Sequence, residues 1–95
     1  MDQNVVHTSI INYLRPYSPE RIGIFGSFAR REETPESDID ILVKFRYTIS
    51  LLDLARIHRE LSQILGRKVD LVTEASIKNE RLKEHIYKDL KLIFE

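Results

Sequence analysis

Ninety-five residues leave room for one domain, expected to span residues 1–95, and little else. Fifteen basic and fifteen acidic side chains give a formal charge of zero, which removes the bulk attraction behind non-specific nucleic-acid binding, so no direct nucleic-acid binding is expected. The absence of cysteine excludes disulfides and thiolate metal sites, no apolar run approaches the ~20 residues that cross a bilayer, and Met1-Asp2-Gln3-Asn4 lacks the layout of a signal peptide; the expected compartment is the cytoplasm.

The chain reads as helices alternating with short strands, the pattern of an α/β domain. Val5, Val6, Ile10, Tyr13 and Leu14 recur at helical spacing and predict a first helix, closed by Pro16 and Pro19. Arg21 to Phe25 is a β-rich run that stops at Gly26-Ser27. Ser27 to Arg31 can open a helix, and Glu32 to Glu36, with Pro35 inside it, reads as a loop. Ile39, Ile41, Val43 and Phe45 then alternate with Asp38, Asp40 and Lys44, which predicts a strand with one apolar face.

Ser50 followed by Asp53 resembles a capping box, the stripe Leu54, Ile57, Leu61, Ile64 and Leu65 predicts a helix, and Gly66 stands where a C-terminal cap belongs. Arg67 to Thr73 is a third strand, with Val69 and Leu71 on one face and Asp70 on the other. A last amphipathic helix is predicted from about Ile77 to about Asp89 on the stripe Leu82, Ile86 and Leu90. The tail Leu92-Ile93-Phe94 is either the final turn of that helix or a short strand. A domain this small buries its own core only marginally, so a permanent partner or a homo-oligomer is a reasonable expectation.

Three features fall at the ends of predicted strands. Gly26-Ser27 sits at a strand-to-helix junction, where glycine lets backbone amides approach a phosphate and the serine adds a hydroxyl donor. By itself such a turn is ordinary punctuation. Asp38-Ile39-Asp40 puts two carboxylates on one strand face, where they repel unless a cation relieves them. Mg²⁺ suits such a pair, because it takes one or two carboxylates and completes its shell with water and substrate phosphates. A lone Asp-x-Asp can also be a solvated strand face. Asp70 lies inside an apolar strand, where acids are depleted. It can face solvent, pair with a basic neighbour such as Arg67, or join Asp38 and Asp40 if the third strand lies beside the second. Three converging acids can hold two metal ions, or one ion and an activating base.

Taken together, Gly26-Ser27, ten intervening residues, Asp38-x-Asp40 and a later strand acid resemble the signature of the polymerase-β-like nucleotidyltransferase superfamily. The stretch Gly26-Ser27-Phe28-Ala29-Arg30, continued by Ser37-Asp38-Ile39-Asp40-Ile41-Leu42-Val43, is similar to that of minimal nucleotidyltransferases (MNT), and the resemblance covers nearly the whole chain. It implies a small mixed β-sheet flanked by helices, the palm-like fold of polymerase β. It also implies ATP as nucleotide donor and Mg²⁺ as cofactor, two ions being expected. By motif position Gly26 and Ser27 hold the triphosphate, Asp38 and Asp40 ligate metal, and Asp70 is the third acid, a metal ligand and the candidate for activating the attacking hydroxyl. Arg30 either steadies phosphate charge or is a plain helix-surface arginine. The family often has Gly at the position of Arg31.

MNT proteins are commonly antitoxins paired with a HEPN-domain RNase toxin. The resemblance therefore implies transfer of AMP from ATP to a tyrosine of that toxin, which silences it. Two alternatives stand beside this reading. One is neutralisation of the toxin by binding alone, with a vestigial site. The other is transfer to a small hydroxyl compound, although the chain has no second domain to hold one. His7, His58 and His85 form no metal spacing with one another, and Tyr47 either stacks on a base or packs.

Overall fold

In the computed structural model, which describes residues 2–95, Asp2 opens the first helix, α1 (Gln3–Leu14), by accepting a hydrogen bond from the Asn4 amide at 2.8 Å. A 3-10 turn over Arg15–Tyr17 follows, and Ser18 reverses the chain in the left-handed region, φ 57°. Pro19 does not close the helix, as its position suggested; it begins strand β1 (Pro19–Phe25), where a fixed φ is tolerated at a strand's first residue. The junction at Gly26 opens the short helix α2 (Gly26–Arg30).

Helix α2 ends on Arg31 at φ 58°, with the Glu32 amide closing back on the Ser27 carbonyl at 2.9 Å. This left-handed cap is where glycine is at no disadvantage, so the glycine common at this position has a backbone reason. Arg31→Gly is accordingly expected to stabilise the fold by up to about 1 kcal/mol, less the extra entropy of the unfolded glycine chain. A urea midpoint that falls on this substitution would show that the Arg31 side chain contributes more than its backbone costs.

Strand β2 (Ile39–Phe45) has the alternation expected of it, with Ile39, Ile41 and Val43 fully buried. Helix α3 (Leu51–Leu65) begins where Ser50 accepts from the Asp53 amide at 3.1 Å and ends at Gly66, φ 68°. Strand β3 (Val69–Thr73), a 3-10 turn at Glu74–Ser76 and helix α4 (Glu80–Asp89) follow, the last capped by Asn79. Leu92-Ile93-Phe94 resolves as a strand, β4 (Lys91–Phe94).

The four strands form one mixed sheet in the order β3-β2-β1-β4. β1 runs antiparallel to both β2 and β4, whereas β2 and β3 are parallel and joined through α3. One face carries the core: Ile22, Ile24, Ile39, Ile41, Val43 and Val69 pack with Val6, Ile10 and Leu14 of α1 and Ile57, Leu61 and Leu65 of α3. Each such side chain contributes about 1.5–3 kcal/mol by leaving water. The helical stripes are narrower than their periodicity suggested, since Val5, Ile64 and Leu82 are exposed and Ile86 is the buried residue of α4.

The opposite face begins with the acids. Because alternate side chains on a strand point to opposite sides, Asp40 lies across the sheet from the core residues Ile39 and Ile41. Gly23 of β1 shares that acid-bearing side with Leu42, its partner in register, and leaves room for Leu90, which follows α4.

Candidate active site

The parallel pairing of β2 and β3 puts Asp40 directly beside Asp70. The condition set for Asp70 is therefore met: its strand lies next to β2, and Asp70 and Asp40 share a face. Asp38, one residue before β2, follows the same alternation and lies half-exposed with Lys68 Nζ at 3.8 Å. Arg67, the other partner considered for Asp70, is engaged elsewhere. Its guanidinium donates to the carbonyls of Thr34 at 2.8 Å and Ser37 at 3.1 Å and lies over the Phe28 ring, so it fixes the loop that delivers Asp38.

Gly26, directly after β1, completes the constellation. Its φ of 73° is left-handed, and a β-carbon built there would collide with Oδ2 of Asp40. The carboxylate thus rests against the bare backbone of the turn, which only glycine permits. Ser27 follows, partly exposed, as the second residue of α2.

The electrostatics of this cluster are unfavourable as it stands. Burial pushes the Asp40 carboxyl up to about 6, the charges of Asp70 and then Asp38 push in the same direction, and Arg30 opposes them. Among the described residues no three histidine, cysteine or carboxylate groups enclose a metal site by themselves. The donor set nevertheless fits Mg²⁺: it consists of hard carboxylate oxygens, it is crowded with like charge that a cation would relieve, and it stands beside a turn able to admit phosphate. Such an ion takes part of its shell from water and nucleotide, so a closed protein cage is not needed.

Arg30 stands one helical turn beyond Gly26, and its Nη1 is 2.7 Å from Oδ2 of Asp89 while its Nε is 3.2 Å from Oε2 of Glu32. Asp89 was not singled out from the sequence, and Arg67 was considered there only as an ion-pair partner for Asp70, not as the anchor of the Thr34–Ser37 loop. A carboxylate in the last turn of α4 runs against the helix dipole, and that was the available signal for Asp89. Arg67 carried none, because its partners are carbonyls more than 25 residues away.

The remaining candidates lie elsewhere. Tyr47 is exposed and borders a cavity of about 500 Å³ beyond the C-terminal end of β2, lined also by Phe45, Ile49 and Leu54. At ~3.3 Å per residue this is about 15 Å or more along the strand from Asp40. His58 and His85 are exposed on helices; His7 is half-buried, and burial followed by the charges of Lys91 and Arg31 holds its imidazole below the usual range.

Residues 8–95 match the family described as polymerase beta, nucleotidyltransferase. A protein of Methanocaldococcus jannaschii bearing the name "Putative protein adenylyltransferase" is 47% identical over 77 residues, covering 81% of this chain and 83% of its own length. Among solved structures, a chain of a toxin-antitoxin complex crystallised with AMP-PNP superposes with a TM-score of 0.83 at 27% identity, over 93% of this chain and 72% of that one. A chain of the complex between tri-AMPylated HEPN toxin of Shewanella oneidensis and its MNT antitoxin gives a TM-score of 0.79 at 25% identity, over 98% and 72%.

Proposed function

The chain belongs to the polymerase β nucleotidyltransferase family, and from that premise we propose that it is an Mg²⁺-dependent protein adenylyltransferase, an antitoxin that moves AMP from ATP to a tyrosine of a HEPN-domain toxin. The observation that carries the chemistry is the juxtaposition of Asp40 with Asp70 in register and with Gly26 across the turn. The partner class is supported by the AMPylated HEPN toxin found with a structural relative.

Asp38, Asp40 and Asp70 are the residues that would hold the ions. Bound there, Mg²⁺ supplies charge neutralisation for the triphosphate and for the pyrophosphate that leaves. The tyrosine oxygen attacks the α-phosphorus, the bond from that phosphorus to the α,β-bridging oxygen breaks, and the phenolic proton passes to a carboxylate, for which Asp70 is the assigned acceptor. Gly26 and Ser27 present backbone and hydroxyl donors to the phosphates, and Arg30 adds a positive charge at the same end of the sheet. The protein's contribution is positioning and charge, since the bond exchange needs no covalent intermediate. The donor is a cytoplasmic nucleotide, and among the described residues no helix is long and apolar enough to cross a membrane.

With ATP, Mg²⁺ and the HEPN partner, mass spectrometry is expected to find AMP added to a partner tyrosine, and chelation of the metal is expected to prevent it. An unmodified partner under these conditions would contradict the proposal. Because the structural relatives are themselves toxin–antitoxin complexes, silencing by binding alone is the second reading. The variant Asp38→Ala/Asp40→Ala separates the two. Loss of neutralisation with the complex intact supports catalysis, and full neutralisation by that variant supports binding.

A further inference from the structure

We propose that Asp89, at the C-terminal end of α4, is a positioning residue for the nucleotide: it holds the Arg30 guanidinium where the triphosphate binds. The proposal rests on the reading of Gly26, Asp38 and Asp40 as an Mg²⁺–ATP site.

A carboxylate in the last turn of a helix is electrostatically misplaced, because the helix end already carries partial negative charge. Asp89 is nevertheless there, its side chain only 16% exposed, and its Oδ2 lies 2.7 Å from Nη1 of Arg30. The pair, 59 residues apart in sequence, joins α4 to α2, two elements that flank the acid-bearing end of the sheet. Arg30 is four residues after Gly26, so both lie on one side of the short helix.

The chemistry of the guanidinium makes this arrangement useful. A free arginine side chain has many rotamers, and ordering it on a ligand costs binding energy. Asp89 takes Nη1 and Glu32 takes Nε, which leaves Nη2 as the nitrogen that neither carboxylate engages. Glu32 is mostly solvent-exposed and is a weak anchor, whereas the shielded Asp89 is a strong one. A preordered Arg30 can then meet phosphate oxygens without first being fixed.

The sign of the expected effect separates positioning from plain electrostatics. Removing a negative charge near a polyanion site should tighten anion binding by Coulomb's law alone. If Asp89 acts by holding Arg30, removing its charge should weaken binding instead. The test is calorimetric titration of the full chain with ATP and Mg²⁺ in the absence of acceptor, each variant first checked for a cooperative melt. Asp89→Asn is expected to weaken binding about tenfold, Glu32→Gln by less than about twofold, and Asp89→Glu to retain most of the wild-type affinity. On an Arg30→Ala background, Asp89→Asn is expected to add nothing further, and this comparison decides the matter should the single variant melt early. Unchanged or tighter binding by Asp89→Asn, or a full additional loss on the Arg30→Ala background, would overturn the positioning role. A wild-type chain that binds no Mg²⁺–ATP would overturn the underlying reading of the site instead.

Discussion

Asp40→Asn is expected to abolish AMP transfer while making the metal-free protein more stable. The two effects have one cause. In the native state the Asp40 carboxyl is raised from 3.8 to about 6 by burial, then by the Asp70 and Asp38 charges. A carboxyl whose pKa is raised on folding binds its proton more tightly in the folded state, so stability declines as pH rises from about 4 through about 6. Above that range the fold carries the full cost of an ionised group crowded by two others. Two pKa units correspond to about 2.7 kcal/mol at ~1.36 kcal/mol per unit, and partial solvent access reduces this to about 1–2 kcal/mol.

Asparagine keeps the shape and removes the charge. Chemical denaturation at pH 7.5 with chelator present is therefore expected to give Asp40→Asn about 1–2 kcal/mol over the parent chain, and the difference should vanish near pH 4. Transfer should fall by about 10³-fold or more, because an ion held by one fewer carboxylate loses several kcal/mol of transition-state stabilisation. A variant that is less stable than the parent at pH 7.5 would mean that Asp40 serves the fold as a hydrogen-bond acceptor, and the case for a cation site would lose its electrostatic basis.

Gly26→Ala is the second large effect, and Gly66→Ala is its control. Both glycines have left-handed φ, 73° and 68°. Alanine at either should lose about 1 kcal/mol from backbone strain. The surroundings differ. Nothing lies within 4 Å of a β-carbon at Gly66, while one at Gly26 meets the Asp40 carboxylate. That carboxylate must move, and displacement of a ligand by about 1 Å is enough to cost roughly 10²-fold in rate. Gly26→Ala is thus expected to lose about 10²-fold in transfer and more stability than Gly66→Ala, which should transfer at the parental rate. Equal effects of the two substitutions on transfer would show that Asp40 and the Gly26 turn are not one site.

Much of this arrangement was legible from short-range patterns. Ser50 with Asp53 and the closing Gly66 marked α3 because caps satisfy backbone groups within a few residues. Alternation around Ile39, Ile41 and Val43 marked β2 and put Asp38 and Asp40 on one side of it. What depended on distant pairing stayed open. Leu92-Ile93-Phe94 is too short to declare itself and becomes a strand only because β1 offers a free edge. Asp70 needed β3 to lie beside β2, a matter of sheet order that no local pattern encodes. Helical periodicity located the buried side of α4 but not its width, so Leu82 was assigned to an interior it does not reach. Arg67 and Asp89 act through partners that only the folded chain supplies.

In the proposed function, the acids at the β2–β3 edge and the Gly26 turn direct attack to the α-phosphorus of ATP with a protein as acceptor. ATP labelled at the α-phosphate, and in parallel at the γ-phosphate, tests this most directly. Incubated with Mg²⁺ and the HEPN-domain partner, the α label is expected on the partner and the γ label in released pyrophosphate, both depending on Asp40. Label on the partner from the γ position, or none from the α position, would contradict it.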